Sequence, residues 1–172
     1  MHALALAFAL FSLSPAYAED EVSFRDLAGM VTAEKPICFG REYSAGHLRA
    51  HPLQKVKLLR AKLSKQADTD GNFLEVEAVL KGDANRFKLF RQFFVCMDDG
   101  TCAVECDGGS VRLAGLRDGG LTLRNNGFVL EGGCDGDNEK GTVFLDNKPG
   151  GDDLFRLSRL PHEYCSPTTD ER

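Results

Sequence analysis

The second half of the chain is a series of short apolar segments separated by turns rich in Gly, Asp and Asn, and this rhythm constrains the fold most. The turns at Asp99-Gly100, Asp118-Gly119 and Asn125-Asn126-Gly127 separate segments whose apolar residues alternate with polar ones. Asn-Gly and Asp-Gly between alternating segments are strong signals for β-hairpins. Because no helix of ordinary length interrupts the series, the sequence predicts an all-β chain of consecutive antiparallel strands.

The strands of such a meander have to bury their apolar face, either by closing into a barrel or by folding into two stacked sheets. The apolar alternation slips in phase at Leu58 and Leu59, which predicts a bulge that bends a strand. Closure removes both exposed edges of a sheet. We therefore expect a small antiparallel up-and-down β-barrel of about eight or nine strands with a short N-terminal helical segment, and a β-sandwich is the alternative.

The first eighteen residues, MHALALAFALFSLSPAYA, are typical of a cleavable signal peptide. They contain an apolar core over residues 3–13, a break at Ser14 and Pro15, and a small-x-small motif that ends at Ala18. This core is shorter than the roughly 20 residues that span a bilayer. We expect cleavage after Ala18 and a periplasmic or secreted location.

Four segments follow from these patterns. We expect a signal peptide over 1–18, an N-terminal arm and short helix over 19–52, a β-barrel domain over 53–165 and a flexible tail over 166–172. In the arm, Ser44 is expected to cap a helix over 45–50 that Pro52 ends.

The composition narrows the classes of partner. The net charge of −5 lacks the basic surface that a phosphate backbone attracts, so we expect no nucleic-acid partner. Beyond the signal peptide, no apolar stretch approaches the length of a membrane span. We also expect no cofactor and no metal, because the acidic turns at 68–72 and 135–139 lack the glycine and glutamate positions of a calcium loop.

An even number of cysteines in an exported chain predicts a disulfide framework. The six are Cys38, Cys96, Cys102, Cys106, Cys134 and Cys165. Several pairings are possible, and the favoured one joins Cys96 to Cys102, which face each other if a three-residue loop connects their strands. A bridge from Cys38 to Cys165 would tie the chain before the strands to the chain after them, and the remaining two would pair. The spacing fits neither zinc knuckles nor a C-x-x-C redox motif.

Alternate turns of an up-and-down barrel lie at the same end, so the acidic turn residues form a candidate rim for a cation or a basic partner. The favoured interpretation is that these turns are simply solvated. The candidate rim residues are Asp98, Asp99, Asp118, Asp135 and Asp137, with Asp152 and Asp153 as further members.

Catalytic motifs give little support to an enzyme. No serine lies in a G-x-S-x-G context. His47 and His51 share one helical face, but the sequence offers no third metal ligand beside them. The alternative function is an envelope hydrolase whose site folding assembles from carboxylates and histidines, the candidates being His47, His51, Asp107, Asp135 and His162.

The rhythm of strands over residues 55–160 resembles that of the lipocalin-like, or calycin, group of exported β-barrels. A set of landmarks is similar to those of small exported bacterial β-barrel proteins: Cys38-Phe39-Gly40-Arg41, His51-Pro52, Cys106-Asp107-Gly108-Gly109, Gly133-Cys134 and Arg159-Leu160-Pro161. The chain has no tryptophan, so the lipocalin Gly-x-Trp is absent and no functional residue is carried over. The strand rhythm and the lack of catalytic motifs favour an exported, disulfide-stabilised binding or interaction module for an unknown small ligand or protein partner.

Overall fold

A computed structural model describes residues 20–66, 71–82, 88–131 and 142–165 of the chain. The predicted signal peptide over 1–18 and the predicted tail over 166–172 lie outside the described residues. The same is true of Cys134, Asp135 and Asp137.

The described residues form ten strands, two short α-helices and a 3-10 helix. The strands are β1 (Glu21–Val22), β2 (Ile37–Glu42), β3 (Val56–Lys65), β4 (Asn72–Leu80), β5 (Phe90–Cys96), β6 (Thr101–Ala103), β7 (Gly109–Leu116), β8 (Leu121–Leu130), β9 (Val143–Leu145) and β10 (Leu154–Leu160). The helices are α1 (Phe24–Ala28), α2 (Ala45–Ala50) and the 3-10 helix at His162–Cys165. None of these helices has the length and apolar character needed to cross a membrane.

Eight of the strands close into an antiparallel barrel. Strands β2 to β8 each pair with their neighbours in sequence, and β10 lies between β8 and β2, which completes the ring. Two further strands lie outside the ring, β1 against β7 and β9 against β8. The prediction of an up-and-down barrel is confirmed, and the sandwich alternative is wrong.

The two ends of this barrel differ in their connections. The strand registers place the short turns at 97–100 and 117–120 at one end, together with the 3-10 helix that follows β10. We call this the turn end. The opposite end carries the longer connections at 43–55 and 146–153, and we call it the loop end.

The barrel begins earlier than residue 53, because β2 lies inside the segment expected to be an arm and a short helix. Ile37, Cys38 and Phe39 are all buried, so β2 lacks the alternation that marks a strand in the sequence. The helix predicted in this segment is present as α2, and the Ser44 hydroxyl accepts a hydrogen bond from the His47 N–H at 3.1 Å. The sequence therefore predicts the Ser44 cap of α2 but gives no alternating pattern from which β2 could be predicted.

The two irregularities in the strands have different outcomes. The bulge predicted in β3 is confirmed, since its register with β4 shifts between Val56 and Leu58. The hairpin predicted at Asn125-Asn126-Gly127 is wrong, because β8 runs through these residues. Gly127 and its neighbour across the sheet, Gly109, have φ of +95° and +92°, a conformation that glycine supplies at a bulge as well as at a turn.

Side chains fill the inside of the barrel. The buried apolar residues form one continuous cluster, in which the rings of Phe94 and Phe128 meet edge to face with centroids 5.3 Å apart. The largest fully buried side chains are Phe39, Phe90, Phe94, Phe128, Phe155, Leu59, Leu63, Leu74, Leu121, Leu123, Leu130 and Leu145. Full burial of each such side chain stabilises the fold by about 1.5–3 kcal/mol. The interior is therefore a packed core.

Candidate functional site

The disulfides of the described chain join Cys38 to Cys165 and Cys96 to Cys102. These are the pairs favoured from the positions of the cysteines, and both lie at the turn end. Cys96 faces Cys102 across the β5–β6 pair, as a three-residue loop requires. Cys106 is disulfide-bonded too, and Cys134, its predicted partner, lies outside the described residues.

The structure distributes the acidic rim candidates between the two ends. Asp98, Asp99 and Asp118 are exposed at the turn end, whereas Asp152 and Asp153 precede β10 at the loop end. Asp99 accepts hydrogen bonds from the Thr101 N–H at 2.9 Å and hydroxyl at 3.0 Å, which hold the pKa of Asp99 below its usual value. The described residues contain no group of three His, Cys, Asp or Glu side chains that could hold a metal ion.

Of the hydrolase candidates, the described structure brings together only His47 of α2 and His51, which caps the C-terminal end of that helix. The His47 ring lies 4.2 Å from the His51 ring and 4.8 Å from the Tyr43 ring, measured between centroids. His47 Nε2 is 3.0 Å from the Gln54 side-chain oxygen. His162 lies at the opposite end of the barrel, and Asp107 lies in the turn after β6. The hydrolase alternative remains a prediction, since the described residues assemble no such site.

Two buried polar residues at the loop end hold the connections in place. Asp152 accepts hydrogen bonds from the Lys55 N–H at 2.9 Å and the Val56 N–H at 3.1 Å. Burial raises the pKa of Asp152, although these two hydrogen bonds oppose the shift. Both carboxylate oxygens are thus engaged by the backbone where β3 begins. The role of Asp152 is structural, and its position in a Gly-Gly-Asp-Asp turn gives no sign of it.

Asn125 is the second of these residues. Its side-chain nitrogen donates to the carbonyl oxygens of Leu145, Asp146 and Asp152 at 3.0–3.2 Å, and its side-chain oxygen accepts from the Gly127 N–H at 2.6 Å. The side chain therefore connects β8 to both the start and the end of the 146–153 loop.

The outer face of the barrel carries an apolar surface that the sequence analysis missed. Along β5 and the residue after it, Phe93, Val95 and Met97 are 61%, 44% and 59% exposed. Val95 pairs with the partly exposed Phe73 of β4 on one side and with Ala103 of β6 on the other. We call these five residues the β5 outer patch.

The sequence of β5 explains both the patch and why it was missed. An apolar run such as 93–97 is typical of a strand buried on both faces. In the structure only one face is buried, because Phe94 and Cys96 point inward while Phe93 and Val95 point outward. Gln92 is buried beside them. The strand thus places a polar residue inside and aromatic and aliphatic residues outside.

Charges around the β5 outer patch fall into two groups. On its β4 side, Glu77 pairs with Arg91 at 3.0 Å and Arg60 at 3.9 Å, and Glu75 pairs with Lys62 at 3.7 Å. The second group consists of exposed carboxylates without a salt bridge among the described residues. These are Asp98 and Asp99 after Met97, and Glu105 and Asp107 in the turn after Ala103.

Comparison with protein-family models, curated proteins and solved structures finds no match for this chain. Inferences about its function therefore rest on the chemistry of its own surface and interior.

Proposed function

We propose that the protein is an exported, disulfide-stabilised interaction module that binds a protein partner on the outside of its barrel. The observation that carries this proposal is the packed interior. A carrier of small ligands needs a concave cavity that encloses most of the ligand. In the described chain that space is occupied by phenylalanine and leucine side chains.

The proposed location is supported by two features. The N-terminal sequence has the pattern of a cleavable signal peptide. Disulfides such as Cys38–Cys165 and Cys96–Cys102 persist in oxidising compartments and are rare in the cytosol. The proposal predicts a mature protein that begins at Glu19, which intact-mass measurement of the exported protein tests directly.

The proposed mode of action is supported by the β5 outer patch. Single exposed apolar residues are ordinary, whereas contiguous apolar patches mark interaction surfaces. Phe93, Val95 and Met97 are consecutive outward positions, and Phe73 and Ala103 broaden the row across two neighbouring strands. A partner could bury this surface without any change in the barrel itself.

Affinity capture with chemical cross-linking from the exported fraction of producing cells tests the proposal. The wild type is compared with Phe93→Ser, and Leu53→Ser is the matched control, because Leu53 is 58% exposed in the 43–55 connection at the loop end. We expect the wild type and the control to capture the same partner and Phe93→Ser to lose it.

Native mass spectrometry of the purified protein provides the opposing measurement. A stoichiometric small molecule that remains bound to the folded protein, together with equal capture by the wild type and Phe93→Ser, would overturn the proposal in favour of a carrier.

A further inference from the structure

We infer that the partner is a basic protein surface, in which apolar side chains are flanked by Lys or Arg, and that it docks on the β5 outer patch. This inference rests on the proposed function and names the chemistry of the partner. The patch supplies the apolar contact, and the exposed carboxylates that border it, which form no salt bridge with another described residue, supply the complementary charge.

The shape of the patch fits a small number of apolar anchor side chains. Phe93, Val95 and Met97 form a row along one strand, and the pairing of Val95 with Phe73 and Ala103 makes the middle of the row the broadest part. Interface energy concentrates in a few buried aromatic and apolar anchors surrounded by a polar rim. Phe93, which is the most exposed member and the more exposed of the two phenylalanines, is the expected anchor.

The charges on either side of the row select a basic partner. The cations on the β4 side, Arg60, Lys62 and Arg91, are already paired with Glu75 and Glu77 on the same face. Arg112 attracts Asp99 without an ion pair and lines the same surface cavity as Arg25, so the four exposed carboxylates around the patch outnumber these two cations. The carboxylates of Asp98 and Asp99 follow Met97 directly, and no described cation pairs with them within salt-bridge distance. Exposed charges act over about 8 Å at physiological ionic strength, so these carboxylates influence whatever covers Met97.

Glu105 and Asp107 extend the negative charge to another side of the patch. They are exposed in the 104–108 turn, which continues from Ala103, the residue paired with Val95. Carboxylates therefore border the patch beyond the ends of both β5 and β6. A partner with Lys or Arg around an apolar centre would satisfy both groups at once.

A second copy of the chain fits the patch less well. In a two-fold dimer each patch would meet itself, so the carboxylates that border one copy would lie against those of the other. Like charges brought together at an interface are unfavourable. A membrane that contains anionic lipid would be repelled for the same reason.

Selection from a random library of short peptides tests the inference without assuming a sequence. The folded, oxidised wild type is the target, and peptides that also bind Phe93→Ser are removed. We expect the enriched peptides to combine apolar residues with Lys or Arg. Enrichment of neutral or acidic peptides, or no enrichment that depends on the patch, would overturn the inference.

The selected peptide then allows a quantitative measurement by fluorescence anisotropy. We expect Asp98→Asn/Asp99→Asn to weaken binding by about three- to tenfold and to reduce its salt dependence, because the removed charges act through a screened field. Glu42→Gln is the control, since Glu42 is an exposed carboxylate on β2 that pairs with Lys57 at 3.7 Å. Equal binding by the double variant and the control at low and high salt would overturn the inference.

Two further outcomes would assign the patch to a different occupant. Dimerisation that Phe93→Ser abolishes, measured by light scattering, would favour a second copy. Co-sedimentation with phosphatidylcholine vesicles that Phe93→Ser abolishes would favour a membrane. The capture experiment separates the two proposals: a partner that depends on Phe93 but is not basic would leave the interaction module standing and remove only the present inference.

Discussion

The two ends of the barrel are stabilised by different chemistry. At the turn end, the Cys38–Cys165 and Cys96–Cys102 disulfides fix the strands covalently. At the loop end, buried Asn125 and Asp152 hold the connections through hydrogen bonds to the backbone, with Cys106 as a covalent contribution. A disulfide acts mainly on the unfolded chain, whereas a buried polar network stabilises only when every member is satisfied. Reduction should therefore act most strongly at the turn end, where two disulfides lie, whereas single substitutions and pH should act at the loop end.

The largest expected effect comes from removing the long-range disulfide at the turn end. Cys38→Ser/Cys165→Ser opens a bridge between residues 127 positions apart. The chain-entropy model gives about 5 kcal/mol for a loop of this length. Urea unfolding under oxidising conditions measures the free energy of unfolding. A loss below about 2 kcal/mol would show that the packed core, and not this bridge, holds β10 against β2.

The next effect is expected at the loop end. In the wild type, the carbonyl oxygens of Leu145, Asp146 and Asp152 accept hydrogen bonds from the Asn125 amide. Asn125→Asp removes these donors and places a carboxylate against the same three oxygens. Burial of an uncompensated charge with lost hydrogen bonds should cost more than about 3 kcal/mol.

Asn125→Ala keeps this comparison measurable if the Asp variant does not fold. It removes the same donors without adding a charge and should cost about 2–3 kcal/mol in urea unfolding. A variant as stable as the wild type would mean that water replaces the amide and that the loop end does not depend on this side chain.

The second disulfide sharpens the contrast within the turn end. Cys96→Ser/Cys102→Ser opens a bridge between residues only 6 positions apart, for which the same entropy model gives about 2 kcal/mol. We expect this variant to unfold at a higher urea concentration than Cys38→Ser/Cys165→Ser. The reverse order would contradict the entropic explanation.

The smallest effect concerns the pH response of the loop end. Burial raises the pKa of Asp152 above 3.8, so the folded protein holds this proton more tightly than the unfolded chain. The stability that comes from tighter proton binding by Asp152 is therefore present at low pH and is lost as the pH rises through the pKa of the folded state.

Asp152→Asn removes the group that titrates. It also places the amide NH2 against one of the two backbone N–H groups, of Lys55 or Val56, that the carboxylate accepts from. The lost hydrogen bond should lower the free energy of unfolding by about 1–2 kcal/mol near neutral pH. We expect the difference in stability from the wild type to widen as the pH falls through the raised pKa of Asp152, measured by thermal unfolding over a pH series. A difference in stability that stays constant over the pH series would show that Asp152 is not the group responsible for the pH response.

The features that follow from local pattern could be predicted from the sequence. Alternation predicted the strands around Leu74 and Val76, and a serine before a short helix predicted the cap at Ser44. The Cys96–Cys102 pair followed from the length of one hairpin loop. In each case the physical cause lies within a few residues along the chain.

The features that depend on distant neighbours could not be predicted. Asn125 has the turn chemistry of a hairpin, yet its partners are 20 to 27 positions away in the sequence. β2 lacks alternation because its disulfide partner, Cys165, covers the outward side of Cys38. The β5 outer patch has the composition of a core strand, and only the finished barrel shows that nothing in the described chain covers it.

The position of β10 has a consequence for the order of folding. β8 and β2 do not pair directly in the ring, because β10 separates them, and its residues at 154–160 follow all the other barrel strands in sequence. A growing or emerging chain can form the hairpins from β2 to β8 one after another, since each joins neighbours in sequence. The ring itself cannot close until residue 160 has arrived, when pairs such as Arg159 with Phe39 bring the first and last barrel strands together. Until then the apolar inner face of the meander is uncovered, so the nascent protein is at greatest risk of aggregation just before β10 is made.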